Sequence, residues 1–516
     1  MSAADPLLLG VDLGTTAIKC AAYRPNGTPV ASASREYRLL TPEPAAVEVP
    51  VATYWEAFSA AIRDVLRSPD VSAGAIHSLG ISAQGETLVP VTGDGTPVRD
   101  AIVWLDSRPA EEADVLASHF EPGEFYEITG QPEMLPTWPA AKILWLSRHE
   151  PGAFAQTRRF ALLEDYFVWR LTGEWVCEGS LVTSTGYWDF RKKSWSKEML
   201  ALIGVGVDQL PDLVEPGTAV GQVRPPVAVE IGLSTSTMVC TGALDQACGA
   251  IGAGNITPGQ FSENTGAAIA LCATLDGPRL DPEGRMPCHY HGLADRYMFH
   301  TFTSGGIVLR WFRDQFGDAE KSVAAAAGQD PYDLLIAEAE RIAPGAEGLL
   351  AVPHLQGAMA PESNPAARGA LIGLSLRHGR GHVARAILES VAFVVRRNVE
   401  VLESLGIQIP EILAIGGGAR SGLWKQIEAD VTGRPVRTTR EPDAAALGAA
   451  ILGGSGSGRF GDVSDLVSAM VRPAGYFEPD PGRARFYDEL YQAYCAAYTA
   501  LCPTFATLMS KAESPA

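Results

Sequence analysis

A strand–turn–strand pattern occurs twice in this chain, and the repetition restricts the possible folds more than any other feature. In the first copy, apolar residues 7–11 lead into Asp-Leu-Gly-Thr-Thr at 12–16, and another apolar run follows at 17–23. In the second copy, residues 260–263 lead into Asn-Thr-Gly at 264–266, again followed by an apolar run. The repeat predicts an α/β fold with two similar lobes. Chance similarity between short strands is the alternative.

Other segments carry ordinary secondary-structure signals. Asn26-Gly27 between apolar runs predicts a tight hairpin, because both central positions of such a turn accept positive φ. Residues 100–106 are predicted to form a strand, and residues 140–148 and 162–171 to form helices. The run 453–458, made only of glycine and serine, is predicted to be a flexible surface loop.

Length and charge narrow the class of protein. A chain of 516 residues is too long for one domain. Its 41 basic and 60 acidic residues give a net charge of −19, which disfavours nucleic acid and anionic membranes as main partners. No apolar run is long enough to span a bilayer, no basic segment precedes the first apolar stretch, and the cysteines form no Cys-x-x-Cys pair. These features predict a cytoplasmic protein with reduced cysteines.

Two Gly/Thr turns are candidate phosphate sites. A turn directly after a buried strand exposes backbone N–H groups and hydroxyls, which suit phosphate oxygens. The carboxylate of Asp12, at a strand end, is placed to hold a hydrated Mg²⁺ beside the phosphates. An ordinary turn is the alternative in each case. The chain has no P-loop and no Rossmann glycine pattern. The candidate residues of these turns are Thr15, Thr16, Lys19, Thr265 and Gly266.

A third glycine cluster, at Gly416, Gly417 and Gly418, ends an apolar strand and precedes a helix. Consecutive glycines allow the close approach of a flat group such as a nucleobase, although a tight strand-to-helix turn explains them equally. A weaker cluster of the same kind includes Gly306. Ser421 follows the main cluster.

Asp245 lies in the segment 242–246, which follows a predicted strand at 238–240 and precedes a Gly/Ala-rich stretch at 247–254. A carboxylate at such a junction can accept the proton of an attacking hydroxyl, and Gln246 can bind the same ligand. A helix N-cap is the structural alternative for this aspartate. Gln84 and Glu86 at another strand end, with Trp104 as an apolar wall, have the mixture of groups that a sugar or polyol pocket needs. Solvated loop residues are the alternative for that pair.

Together these residues resemble the FGGY family of carbohydrate kinases over nearly the full chain. One family signature resembles residues 139–149, and a second closely resembles Gly369 to Leu374 followed by His382 to Glu389. The resemblance implies an α/β fold of two duplicated actin-like ATPase (ribonuclease H-like) domains with a cleft between them. It implies a sugar-binding domain at 1–246 and a nucleotide-binding domain with a C-terminal helix at 247–516.

The resemblance also implies roles for single residues. Asp245 becomes the general base, and Asp12 and Asp245 hold Mg²⁺ through water. The cofactors are ATP and Mg²⁺, and the reaction phosphorylates a hydroxyl of a small sugar or polyol. Glycerol kinases have an arginine at the position of Gly85, and its absence favours a substrate larger than glycerol.

A pentulose such as xylulose is the favoured substrate, with polyols and aldonates as alternatives. No nucleic acid or membrane partner is expected, and a homodimer is left open. An actin-like or chaperone-like ATPase, or a non-catalytic sugar-sensing protein, would share the phosphate turns.

Overall fold

The computed structural model of the protein describes residues 5–441 and 443–513. They form two compact units that are not continuous in sequence. The first unit contains residues 5–258, 274–299 and 443–472, and the second contains residues 259–273, 300–441 and 473–513. The predicted boundary between residues 246 and 247 stays a prediction.

The strands of the described chain are β1 (Leu7–Leu13), β2 (Ala17–Tyr23), β3 (Pro29–Glu36), β4 (Glu48–Val49), β5 (Ile76–Ala83), β6 (Leu88–Val91), β7 (Ala101–Ile102), β8 (Arg159–Leu162), β9 (Val176–Glu178), β10 (Trp188–Asp189), β11 (Ser194–Trp195), β12 (Asp212–Val214), β13 (Ala219–Gln222), β14 (Met238–Leu244), β15 (Phe261–Thr265), β16 (Ala268–Leu275), β17 (Cys288–Tyr290), β18 (Tyr297–Ser304), β19 (Leu350–Val352), β20 (Ala370–Ile372), β21 (Ile412–Gly416), β22 (Val436–Thr439) and β23 (Pro473–Phe477).

The helices are α1 (Val51–Leu66), α2 (Ala110–Ala117), α3 (Glu124–Thr129), α4 (Pro139–His149), α5 (Pro151–Gln156), α6 (Leu163–Thr172), α7 (Gly179–Val182), α8 (Lys197–Ile203), α9 (Pro225–Ile231), α10 (Asp245–Ala253), α11 (Gly306–Phe316), α12 (Asp318–Ala327), α13 (Pro331–Glu340), α14 (Arg380–Ser404), α15 (Gly422–Thr432), α16 (Ala444–Gly456), α17 (Val463–Met470) and α18 (Pro481–Glu513).

The two units contain sheets of the same topology. In the first unit, β2, β1, β5, β14 and β13 are neighbours in that order. The first and last pairs are antiparallel, and the two inner pairs, β1 with β5 and β5 with β14, are parallel. In the second unit, β16, β15, β21, β22 and β23 follow the same order with the same directions. The duplicated α/β architecture expected from the sequence is therefore confirmed.

The predicted loop at 453–458 is wrong, because most of it is the end of helix α16. That helix packs directly on the sheet of the first unit, and Gly453 and Gly454 are buried. A Cβ on Gly10 would lie 1.8 Å from the Ala446 carbonyl oxygen, and a Cβ on Gly80 would lie 2.0 Å from that of Ala449. Glycines occur here because helix and strand backbones touch, and backbone contact is a packing requirement that composition alone does not reveal.

Other predicted elements differ less. The helices predicted at 140–148 and 162–171 are confirmed within two residues as α4 and α6. The strand predicted at 100–106 is only Ala101–Ile102, because the chain turns at once and the N–H of Asp106 donates to the carbonyl of Val103. Trp104 consequently lies in a turn. Among the described residues, no helix combines the length and apolar character needed to cross a membrane.

Candidate active site

The carboxyl ends of three parallel strands of the first unit bring two predicted carboxylates to one edge of the sheet. Asp12 of β1 pairs with Ser82 of β5, and Ser82 in turn pairs with Ala243 of β14. Ser82 Oγ donates to Asp12 Oδ1 at 3.0 Å. Asp245, two residues after Ala243, begins helix α10. Parallel strands place their ends together, which is why residues more than 200 positions apart share one site.

Asp245 lies in a strongly acidic environment. Burial, followed by the negative charges of Asp12 and Glu86, raises the pKa of Asp245 to about 8, and hydrogen bonds from Gln246 oppose the shift only partly. Burial also raises the pKa of Asp12, against the attraction of Lys19. An aspartate with a pKa near the working pH is suited to take and release a proton. The helix N-cap interpretation is wrong, since Leu244 precedes the helix as its N-cap.

A stability measurement would test this environment directly. Because folding raises the pKa of Asp245, the metal-free protein should lose stability as the pH rises from about 4 to 8, with a slope from this group of up to about 1.4 kcal/mol per pH unit. The Asp245→Asn variant should lack this contribution. Its thermal midpoint, relative to the unchanged protein, should therefore rise across that interval. A constant difference between pH 4 and 8 would contradict the shift.

The predicted phosphate turn at 12–16 is held by residues predicted to bind sugar. Trp104 Nε1 donates to Thr15 Oγ1 at 2.8 Å. Gln84 Nε2 donates to the Gly14 carbonyl at 3.3 Å, and Gln84 Oε1 accepts from Thr87. Gln84 is buried, so much of its amide is already used within the protein. These contacts link the sugar side of the site to the phosphate turn.

Lys19 of strand β2, which follows this turn, is opposite Asp12 in the β1–β2 pair and forms an ion pair. Its Nζ lies 2.7 Å from Asp443 Oδ1, and both side chains are partly exposed. Burial alone would lower the pKa of Lys19, but the pairing with Asp443 and the charge of Asp12 raise it above its usual value. Lys19 is therefore a permanent cation next to Asp12. Thr16, at the tip of the turn, is exposed.

Lys142 belongs to the family signature at residues 139–149, but the sequence did not indicate which contacts its side chain makes. Lys142 is fully buried, and its Nζ donates to the carbonyl oxygens of Glu86 at 2.8 Å and Val103 at 2.9 Å. Burial lowers the pKa of Lys142, with the charge of Glu86 opposing the shift. Glu86 itself has a left-handed φ of 54°, which is uncommon outside glycine. The buried lysine thus supports this backbone conformation and the turn that carries Trp104.

The space expected at Gly85 is already partly filled. A Cβ there would lie 2.9 Å from Leu244 Cδ1 and 3.6 Å from Ser184 Oγ. The side chains of Leu244 and Ser184 therefore occupy part of the volume that a longer residue at position 85 would need. A substrate that used this volume would have to displace the buried side chain of Leu244, next to Asp245.

The second unit brings the remaining glycines together. The N–H of Gly306 donates to the carbonyl of Gly266 at 3.0 Å. A Cβ on Gly416 would lie 2.5 Å from Asn264 Oδ1, and one on Gly418 would lie 2.4 Å from Thr265 Cγ2. Gly417 follows within the same tight turn and is exposed. The predicted nucleotide residues of this unit therefore form one continuous glycine surface.

Two hydroxyl groups beside this glycine surface, those of Thr265 and Ser421, form hydrogen bonds within the protein. Thr265 is buried, and its Oγ1 donates to Glu263 Oε2 at 2.6 Å. Ser421 is the N-cap of helix α15, and its Oγ accepts from the N–H of Trp424 at 3.2 Å. Backbone N–H groups, rather than these hydroxyls, are what the glycine surface offers to a ligand. A cavity of about 480 Å³ lies beside Gly416 and is lined also by Ala419 and Thr439.

A buried ion network that the sequence did not reveal supports Thr265. Lys425 Nζ forms ion pairs with Glu263 and, at 2.5 Å, with Glu428. All three side chains are fully or almost fully buried. Burial raises the pKa of Glu428, with the charge of Glu263 adding to the shift. The two glutamates and one lysine therefore form a tightly coupled set beneath the glycine surface.

The carboxylates of the first unit suit a magnesium ion held through water rather than by direct ligation. Among the described residues, no group of three or more His, Cys, Asp or Glu side chains is arranged to hold a metal directly. Asp245 lies close enough to Asp12 and to Glu86 for both charges to affect it, and Asp12 and Asp245 offer carboxylate oxygens. Oxygen ligands, with several positions left to water, are what Mg²⁺ prefers.

Comparison with known proteins decides the family. The N-terminal domain of the FGGY family of carbohydrate kinases matches residues 7–252, and the C-terminal domain matches residues 275–457. The chain belongs to the FGGY family. It is 30% identical to the xylulose kinase of Bacillus subtilis, over 95% of this chain and 96% of that protein. It is also 30% identical to the gluconokinase of the same organism, over 90% and 91%.

The FGGY fold is also evident from solved structures. The crystal structure of the xylulose kinase from Rhodospirillum rubrum aligns with a TM-score of 0.86 and 30% identity, covering 97% of this chain and 100% of that one. The protein is accordingly an ATP-dependent carbohydrate kinase with two actin-like domains. The alternatives of an actin-like ATPase and of a non-catalytic sensor are not supported by these relatives.

Proposed function

We propose that this FGGY kinase transfers the terminal phosphate of ATP to a hydroxyl of a neutral sugar or polyol, with a pentulose such as xylulose favoured. The observation that carries the proposal is Asp245, a half-buried carboxylate with a raised pKa at the edge where the first unit presents Asp12 and Glu86. In its ionised form Asp245 accepts the hydroxyl proton while the hydroxyl oxygen attacks the terminal phosphorus.

The other predicted residues take supporting roles. The glycine surface at Gly416, Gly417 and Gly418 holds the adenosine, and the turn at 12–16 holds phosphate with Lys19 as a nearby cation. Asp12 and Asp245 hold Mg²⁺ through water. When bound, the metal neutralises charge on the phosphates. Glu86, Trp104 and Gln246 contact the substrate. Gln84 keeps the phosphate turn in place through Gly14.

Charge around Asp245 favours a neutral substrate over an aldonate. The cations that surround the site within the first unit are engaged: Lys19 with Asp443, and Lys142 with two backbone carbonyls. Arg108, which also affects Lys142, is bound to Asp106 through two of its nitrogens. A substrate carboxylate would add a negative charge beside three carboxyl groups, and Lys19, Lys142 and Arg108 already have partners of their own.

A substrate panel tests the proposal. Purified protein with Mg²⁺ and ATP should be assayed by coupled ADP release against ketopentoses, tetritols, pentitols and aldonates. We expect a neutral ketopentose or polyol to give the highest kcat/KM, at least about tenfold above any aldonate, as expected for a like-charge penalty of roughly 1.4 kcal/mol or more. An aldonate as the best substrate would contradict the charge argument. ATP hydrolysis that no sugar stimulates would contradict the function itself.

Family membership does not establish the oligomeric state or the cellular location of the protein. A homodimer and a cytoplasmic location stay predictions from the sequence.

A further inference from the structure

Strand β14 loses its outer neighbour before it reaches Asp245. Strand β13 pairs with it only from Met238 to Cys240. On the other side, the register with β5 shifts by one residue between Cys240 and Ala243. Gly242 lies within this bulge, where a Cβ would come within 1.8 Å of the Ile81 carbonyl oxygen. The last residues of β14 before Asp245 are therefore not paired regularly with a strand on each side.

Side chains accept the hydrogen bonds that β13 no longer accepts. The N–H of Gly242 donates to Glu164 Oε1 at 2.7 Å. The N–H of Leu244 donates to Ser180 Oγ at 2.8 Å, and Ser180 Oγ donates to Glu178 Oε1 at 2.7 Å. The acceptors come from the first turns of α6 and α7. They hold alternate residues of the segment that ends at Asp245.

Carboxylates are costly acceptors in this position. Glu164, Glu178 and Ser180 are 2%, 0% and 0% exposed. Burial, followed by the charge of Glu178, raises the pKa of Glu164 well above its usual value. Glu178 also caps helix α7, where its side chain accepts from the N–H groups of Ser180 and Leu181. Glu164 accepts instead from the N–H of Gly242, so its contact is directed at the end of β14.

We propose that Glu164, and Ser180 backed by Glu178, are positioning residues that hold the bulged end of β14 so that Asp245 faces the reacting hydroxyl. This inference rests on the proposed function of Asp245. None of the three needs to touch a ligand. Their effect is on the orientation of the base, so it should appear in kcat rather than in the KM for ATP.

The test compares four variants of the full-length protein in the coupled assay with its best sugar. Glu164→Leu and Ser180→Ala remove one acceptor each and should lower kcat about 10- to 100-fold, the cost of a base displaced by roughly 1 Å. The KM for ATP should change less than about twofold, since these residues lie on the Asp245 side. Glu164→Gln retains an acceptor oxygen and should keep kcat within about threefold. Ser59→Ala is the matched control, because Ser59 is a buried serine of the first unit whose hydroxyl makes no hydrogen bond within the described chain.

Thermal unfolding separates positioning from simple structural support. Glu164→Leu leaves the buried N–H of Gly242 without its acceptor, so its thermal midpoint should fall by the equivalent of about 1–3 kcal/mol. At an assay temperature well below both midpoints, its kcat should still fall while the KM for ATP is kept and Glu164→Gln retains activity. Equal losses of kcat and of ATP affinity in Glu164→Leu, or an unchanged kcat in both Glu164→Leu and Ser180→Ala, would overturn the inference. If Glu164→Leu or Ser180→Ala fails to fold, the kcat of the other variant still tests the inference. Asp245→Asn is run in parallel, since its full activity would refute the proposed function and not only the inference.

Discussion

Asp245→Asn should abolish sugar phosphorylation, lowering kcat by about a thousandfold or more, the contribution usual for a positioned general base. Asparagine keeps the shape of the side chain but cannot accept the proton of the attacking hydroxyl. The KM for ATP should stay within a few-fold, because the glycine surface of the second unit is unchanged. The variant should also fold as well as or better than the unchanged protein at pH 8, where ionised Asp245 is destabilising.

A matched aspartate serves as the control for that experiment. Asp64 on helix α1 is largely buried and pairs with Arg35 and Arg67. Asp64→Asn should leave kcat unchanged within about twofold, as expected for a residue outside the site. The measurement is sugar-dependent ADP release over a range of ATP concentrations. Turnover of Asp245→Asn within tenfold of the unchanged protein would remove this residue from the role of base.

The second large effect is expected on stability. Lys425→Met should destabilise the protein by about 3–5 kcal/mol, because it leaves the buried Glu263 and Glu428 without their common cation. For a unit of this size the loss corresponds to a fall of roughly 10 °C in the thermal midpoint. Binding of ATP should weaken as well, since Glu263 also accepts the hydrogen bond from Thr265.

Two further variants sharpen the comparison. The double variant Lys425→Met/Glu428→Met removes one of the two buried carboxylates that the single variant leaves without a cation. It should therefore recover part of the lost stability. Lys321→Met breaks an exposed i,i+3 pair with Asp318 and should cost less than about 1 kcal/mol. Differential scanning calorimetry of the four proteins provides the midpoints. Equal losses for Lys425→Met and Lys321→Met would show that the buried network is not a stabilising unit.

Much of the candidate site was predictable because its signals are local. Asp12 and the turn at 12–16 lie at the end of an apolar strand, and Asp245 directly follows another, so strand ends alone indicated that both lie at the edge of a sheet. The parallel order of β1, β5 and β14 then places both carboxylates at one edge. The roles of these residues stay proposals, although the geometry is compatible with them.

The errors have a common origin in packing. Gly453 and Gly454 have the composition of a loop, yet they lie in a buried helix: the backbone of Gly80 approaches Gly453 closely, and the side chains of Leu8 and Leu466 pack against Gly454. The ligand roles of Gln84 and Thr265 stay predictions, and the structure adds that their polar atoms also bond to Gly14 and Glu263. Gly14 lies 70 residues from Gln84 in the chain, so no local pattern indicates that contact.

The sequence by itself determined the duplicated α/β class, the turns that follow the strands and the family, since turn chemistry and strand periodicity are properties of short segments. Only the tertiary structure showed that Lys142, Lys425 and Glu164 are buried beneath those turns. Whether a lysine or glutamate is a solvated surface group or a buried support depends on which distant residues surround it, and burial is decided by the packing of the whole unit.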